Sequence, residues 1–463
     1  GNPAEDIRPI PGMMIGATWS NKGTILFGTE SSAILRVDAA NAEPVPVTVR
    51  DITTERVHIF PVFLPDGKHF LYSRVLSDPN KTGVYLGAVD AKPEEQSLTR
   101  LIATSFAPQF ALSSDGNGVI LFQRDKTLWG QKFDTSRLQM LGEPAVLAER
   151  LGNTRAYGFF AASRDVLIHR SGTADMGQLT WMNRRGQRLG TLGEAADHYD
   201  FRGCISPDGS KIALTRGGSE STDIWVHDLS RDVIQRLTFE PSIDQAPIWS
   251  PNGKNLVFSS SRNGRFDLYQ VSSHGGGGPE LLYASRENKF ASSWSADGRF
   301  ILFSTENRDG IWVLPLESTG KRTPVSILRS PGNERSAVFS PDSRWIGYVS
   351  NESGQPEVYV QRFSFAVPGS PGPKVLISRG GGMSPRWRAD GKEIFYRAPD
   401  GKLMAVPFTA EPALQAGVPK PLFKTGWLWE ATGDGNRFLV DVPVEHGVPP
   451  FTVVLNWQTG LKH

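Results

Sequence analysis

The sequence has a single cysteine, Cys204, among 463 residues. That excludes an intrachain disulfide framework and any metal site built from clustered thiolates. It has no uninterrupted apolar stretch near the ~18 residues that a membrane-crossing helix requires, so no membrane insertion by this chain is expected. Blocks of like charge are missing too, and 50 basic residues against 48 acidic leave a formal charge of +2. Nucleic acid is therefore not an expected partner, because phosphate recognition needs a concentrated basic face.

Catalytic signatures are equally scarce. There is no Gly-x-Ser-x-Gly elbow, no phosphate-binding Walker loop, no dinucleotide fingerprint and no kinase catalytic loop or Asp-Phe-Gly motif. The eight histidines, at 58, 69, 169, 198, 227, 274, 446 and 463, include no zinc-type spacing. No catalytic residue, metal site or cofactor is expected. The run Gly275 to Gly278 reads as a hairpin connection, not a phosphate cradle.

Glycine and proline, by contrast, are abundant: Gly 48 and Pro 33 make about 17% of the chain, above the usual background of roughly 12%. Aromatics reach 10%, and hydrophobic and charged fractions of 39% and 21% are those of a globular protein. This mixture suits short strands joined by many tight turns.

The turns repeat. Ile205-Ser206-Pro207-Asp208-Gly209, Trp249-Ser250-Pro251-Asn252-Gly253, Trp294-Ser295-Ala296-Asp297-Gly298, Phe339-Ser340-Pro341-Asp342-Ser343 and Trp387-Arg388-Ala389-Asp390-Gly391 are five copies of one pattern. Weaker copies stand at Trp19, Phe63, Leu112 and Ala431, and Phe160 fits by spacing. The fourth positions fall at 22, 66, 115, 163, 208, 252, 297, 342, 390 and 434, a step near 45 that fills the chain. Asp223-Ile224-Trp225-Val226, Asp267-Leu268-Tyr269-Gln270, Gly310-Ile311-Trp312-Val313 and Glu357-Val358-Tyr359-Val360 repeat a later strand. Four strands per unit of 40 to 50 residues is the signature of a propeller blade. The expected fold is all-β, a β-propeller of ten four-stranded repeats. Trp225, Trp249, Trp294, Trp312 and Trp387 are expected to pack between blades.

The Ser-Pro-Asp-Gly turn followed by Asp-Ile-Trp resembles the TolB-type, WD-repeat-like propeller. Phe63 to Tyr72, Asn351-Glu352-Ser353-Gly354 and Val453-Val454-Leu455-Asn456-Trp457 are similar to the propeller region of acidobacterial serine/threonine protein kinases. The resemblance implies an extracytoplasmic, periplasmic sensor or interaction module of bacterial origin. An opening of Gly1-Asn2-Pro3 suggests a processed product.

Two partitions are open. A single ring spanning 1–463 is preferred, closed by Asp6 to Ile10 pairing with Phe451 to Trp457. The alternative is four blades in 1–193 and a six-bladed TolB-like propeller in 194–463. The second needs Arg188 to Leu192 to complete the last blade, although the Arg-Arg-Gly turn favours its pairing with Leu179 to Asn183.

Ligand-binding positions follow from the repeat, because loops entering the inner strands open at the channel mouth. The residues five before each aromatic position include His58, Arg155, Asp200, Asp244, Lys289 and Glu334; Tyr157, Arg202 and Arg335 lie close by. They form a candidate mixed-charge mouth for a protein, a peptide or a small molecule. The expected function is non-enzymatic binding. The alternatives are a lyase or hydrolase with its site at the same mouth, and a structural scaffold of the envelope.

Overall fold

The computed structural model describes residues 14–461, apart from 30–31, 39–42, 52–53, 77, 114–115, 155, 173–175, 198–202, 218–220, 241, 306–309, 317–321, 329–332, 366–372, 411–413, 427 and 445–448. Antiparallel strands dominate the described residues, and the helical segments among them are short 3-10 turns such as Trp457–Leu461. The protein is an all-β propeller in which most sheets are four-stranded and antiparallel. It divides into two compact units, residues 1–175 with 445–463, and residues 176–444.

In the first unit, sheet one holds Met14–Trp19, Ile25–Thr29, Leu35–Val37 and Val45–Pro46. Sheet two holds Glu55–Phe63, His69–Leu76, Gly83–Ala88 and Arg100–Ile102, and sheet three Gln109–Leu112, Gly118–Arg124, Thr127–Asp134 and Gln139–Ala148. Sheet four joins Phe160–Ala162 and Val166–His169 to the C-terminal strand Thr452–Leu455. Asp6 to Ile10, the partner expected for that last strand, lies outside the described residues; among the described residues Thr452–Leu455 pairs with Val166–His169.

Among the described residues the second unit contains six sheets. Sheets five to nine follow the chain, with inner strands Cys204–Ile205, Asp244–Trp249, Lys289–Trp294, Arg335–Phe339 and Met383–Trp387. Sheet ten is assembled from both ends of the unit: Trp429–Ala431 and Arg437–Pro443 pair with the hairpin Met176–Asn183 and Arg188–Asp197. The two hairpin strands do pair with each other, as the tight turn implies, and the hairpin adds to the last sheet as one piece.

Alternation of side chains across each strand gives every sheet two apolar faces. In Asn255–Ser260, Leu256 and Phe258 pack with Ala213 and Ile224 of sheet five, whereas Val257 packs with Ile301 and Phe303 of sheet seven. The same device continues through Leu302 with Ile346, Val349 with Ile394, Phe395 with Phe438, and Leu439 with Ile212 and Leu214. Within the second unit each sheet packs on the next and sheet ten packs on sheet five. Trp225, Trp249, Trp294, Trp312 and Trp387 all belong to these contacts between sheets.

The repeated turn is held by its serine. Ser206, Ser250, Ser295 and Ser340 each donate to the side chain two residues on, at 2.6 to 2.8 Å, and each accepts the backbone N–H five residues on at 2.9 Å. One feature carried no residue signature. Inner strands bulge at a left-handed residue three before the aromatic position: Gly16, Phe60, Ala246, Ser336 and Ser384, with φ between 54° and 82°. An extra residue there bends the strand and increases its twist.

Candidate functional site

Of the charged residues expected at an open mouth, most of those described are buried. Asp244 and Lys289 are 0% exposed and Glu334 and His58 1%. The reason is the two-residue period of the strand: the position five before the aromatic turns its side chain into the sheet edge, where a partner neutralises it. Asp244 accepts from Arg262 at 3.1 Å and from the Ser242 hydroxyl at 3.0 Å. The Lys289 ammonium lies 2.8 Å from Asp267 and also donates to the backbone carbonyl of Glu287. Burial pulls the Lys289 pKa down while Asp267 opposes that shift. Glu334 accepts from Ser350 Oγ at 3.3 Å.

His58 lies in the first unit. Its Nδ1 is 2.8 Å from Thr48 Oγ1 and its Nε2 3.0 Å from Glu55 Oε2, while the other Glu55 oxygen pairs with Arg74. Burial, helped by the charge of Arg50, lowers the His58 pKa to about 4. Tyr157, in the same unit, is exposed and meets the Phe60 ring edge-on at 4.8 Å. Arg155, Asp200 and Arg202 lie outside the described residues, as does His198. The named positions therefore divide between two units: His58 and Tyr157 in one, Asp244, Lys289, Glu334 and Arg335 in the other.

An acidic residue opening the third strand is the partner that the motif Asp-Ile-Trp conceals. Asp223 receives Arg236 at 2.7 Å, Asp267 receives Lys289, and Glu357 accepts from Ser378 Oγ and, at 2.8 Å, from the Gly381 N–H. These carboxylates pin the segments that lead toward the next inner strand. They are structural anchors, each engaged by a partner inside the protein.

One residue further along, the parity changes. Phe290, Arg335 and Met383 are half-buried at equivalent entries of sheets seven, eight and nine, followed by the half-buried Ser292, Ser336 and Ser384. Deeper in the same strands, Arg386 holds both oxygens of Glu430, at 3.1 and 2.8 Å. Burial, then the nearby Glu430, raises the pKa of the half-buried Cys204 thiol, which donates to the Pro247 carbonyl at 3.0 Å. Among the described residues no group of three or more His, Cys, Asp and Glu side chains is arranged to hold a metal. No described helix is long and apolar enough to cross a membrane.

Residues 200–321 match the family model of the TolB beta propeller domain. A segment of 88 residues is 34% identical to the Tol-Pal system protein TolB of Anaeromyxobacter dehalogenans, covering 19% of each chain. The matched segment thus spans about a fifth of that relative's length. Among solved structures, a TolB described from Agrobacterium tumefaciens aligns with a TM-score of 0.48 at 17% identity, covering 58% of this chain and 99% of that one. An oligogalacturonate lyase in complex with manganese aligns with a TM-score of 0.38 at 14% identity, over 66% of this chain and 83% of that one.

Proposed function

We propose that this chain is a non-enzymatic, extracytoplasmic binding module, in which residues 176–444 form a six-bladed TolB-type propeller and the remaining described sheets a second unit. The observation that carries the reading is the commitment of the chemically capable side chains. His58, Asp244, Lys289 and Glu334 are buried, and each is bound to partners inside the protein. A general base or nucleophile must reach a substrate atom, and groups held this way do not. The family match over 200–321 supports the TolB-type assignment and, with it, a periplasmic setting.

The binding surface is the end of the second unit where the inner strands begin. Phe290, Arg335 and Met383 supply an aromatic, a cationic and a flexible apolar side chain there, the composition that favours peptide and protein recognition. A sensor role for the module rests on the same surface.

The test is selection of peptides from a random library on the full chain, followed by calorimetric titration of the selected peptides. Arg335→Ala and Met383→Ala are expected to weaken binding roughly tenfold or more while leaving the melting temperature within a few degrees. Selected peptides whose affinity neither substitution alters, or the absence of any saturable binder, would overturn the reading.

A further inference from the structure

The first unit contains a cavity of about 510 Å³ at the opposite end of its inner strands. Its walls come from four sheets at once: Trp19 to Asn21, Phe63 to Pro65, Phe110 to Leu112, and Ala162 to Arg164. That volume lies in the range of small-molecule sites, roughly 300 to 1,000 Å³.

The walls are braced. Thr18 Oγ1 accepts from the Phe63 N–H at 3.2 Å, tying sheets one and two. Gln109 donates to the Phe160 carbonyl at 2.8 Å and accepts from the Ala162 N–H at 3.2 Å, tying sheets three and four. Behind them Trp457 Nε1 donates to the Ser163 carbonyl at 3.0 Å. The cavity is therefore formed before any ligand arrives.

Two residues depart from their counterparts elsewhere in the repeat. Trp19 is 71% exposed, whereas Trp249 and Phe339, at the same place in their sheets, are each 7% exposed. An indole left in water where Trp249 and Phe339 are covered marks apolar surface that a ligand can cover. Among the described residues lining the cavity, Arg164 is the one that is charged, and none is a carboxylate. It is exposed and makes no ion pair with any described residue.

We propose that this cavity is a binding site for small organic anions with a flat apolar ring, the aromatic carboxylates being the simplest class. The ring stacks on Trp19 against the edges of Phe63 and Phe110, and the carboxylate faces the Arg164 guanidinium, which favours planar anions. This site is separate from the peptide-binding surface of the second unit and does not depend on it.

The probe is 2-naphthoate, titrated calorimetrically against the full chain beside its neutral isostere 2-naphthamide. Saturable one-to-one binding is expected, with naphthoate tighter than the amide. Trp19→Ala should weaken naphthoate at least tenfold, Trp19→Phe less, and Arg164→Gln should bring naphthoate and naphthamide to equal affinity. Should Trp19→Ala fail to fold, the Arg164→Gln comparison decides alone. No saturable binding, equal affinity of the two probes for the unaltered protein, or binding untouched by Arg164→Gln overturns the proposal.

Discussion

Thr48 and His58 share one hydrogen bond of 2.8 Å that fixes the protonation of the imidazole. Thr48 Oγ1 also accepts the Ile34 N–H at 2.9 Å, and the Glu55 carboxylate can only accept from the ring, so the one hydrogen of a neutral imidazole sits on Nε2 and the Thr48 hydroxyl donates to Nδ1. Nδ1 is then the acceptor, and Nε2 carries the hydrogen that it donates to Glu55. A neutral imidazole satisfies every partner, and a second proton on the ring would face the Thr48 hydroxyl hydrogen.

This relationship makes stability of the first unit pH-dependent. The folded pKa of about 4 lies below the ordinary value of 6.5, so the unfolded chain binds the proton more readily between these limits. Stability is fully present above pH ~6.5 and falls as pH drops toward 4, by on the order of 3 kcal/mol. Urea denaturation followed at pH 7.5 and pH 4.5 should show this loss. In Thr48→Val with His58→Leu the pH dependence should flatten; an unchanged slope would remove His58 as its source.

Lys289 and Asp267 form a buried pair whose halves are not independent. Lys289→Met should destabilise the second unit by about 3 to 5 kcal/mol, because it strands a buried carboxylate. Lys289→Met combined with Asp267→Leu should recover most of that loss. Denaturant midpoints of the two single variants and the double variant measure the coupling, and strictly additive losses would count against it.

Ala246 sits at φ 54° in the bulge of its inner strand. Glycine adopts this conformation without steric cost, so Ala246→Gly should be neutral or stabilise by up to ~1 kcal/mol. Ala246→Val, with a β-branched side chain, should destabilise by several kcal/mol, on the order of 2 or more. Thermal melting of both variants tests the sign of each effect.

Thr180 and Val440 are directly opposed partners across the seam of sheet ten. With Cys204 replaced by Ser, a Thr180→Cys/Val440→Cys variant should form an intramolecular disulfide under mild oxidation, read as a faster-migrating band on a non-reducing gel. Free thiols in the folded protein would contradict the seam.

Much of this architecture is legible in the sequence because turns announce themselves. Ser206, Asp208 and Gly209 each have a local duty within five residues, so their spacing survives in plain view. Tryptophans such as Trp249 are legible for a related reason, since both faces of a sheet must be covered. The destination of the hairpin Met176–Asn183 and Arg188–Asp197 is legible only as one of two alternatives, because its partner Arg437–Pro443 lies far along the chain and no local rule selects it. The parity of the entry positions is hidden as well. No single residue type marks the bulges at Phe60, Ala246, Ser336 and Ser384, yet each bulge resets which neighbour turns inward. Thus Lys289 reads as a rim charge until Asp267 is seen beside it, while Phe290 and Met383 draw no attention.

Backbone hydrogen exchange of the full chain, with and without a library-selected peptide, tests the binding account most directly. Protection is predicted at the beginnings of Lys289–Trp294, Arg335–Phe339 and Met383–Trp387, with no turnover of the peptide. Protection confined to other segments, or cleavage of the bound peptide, would contradict it.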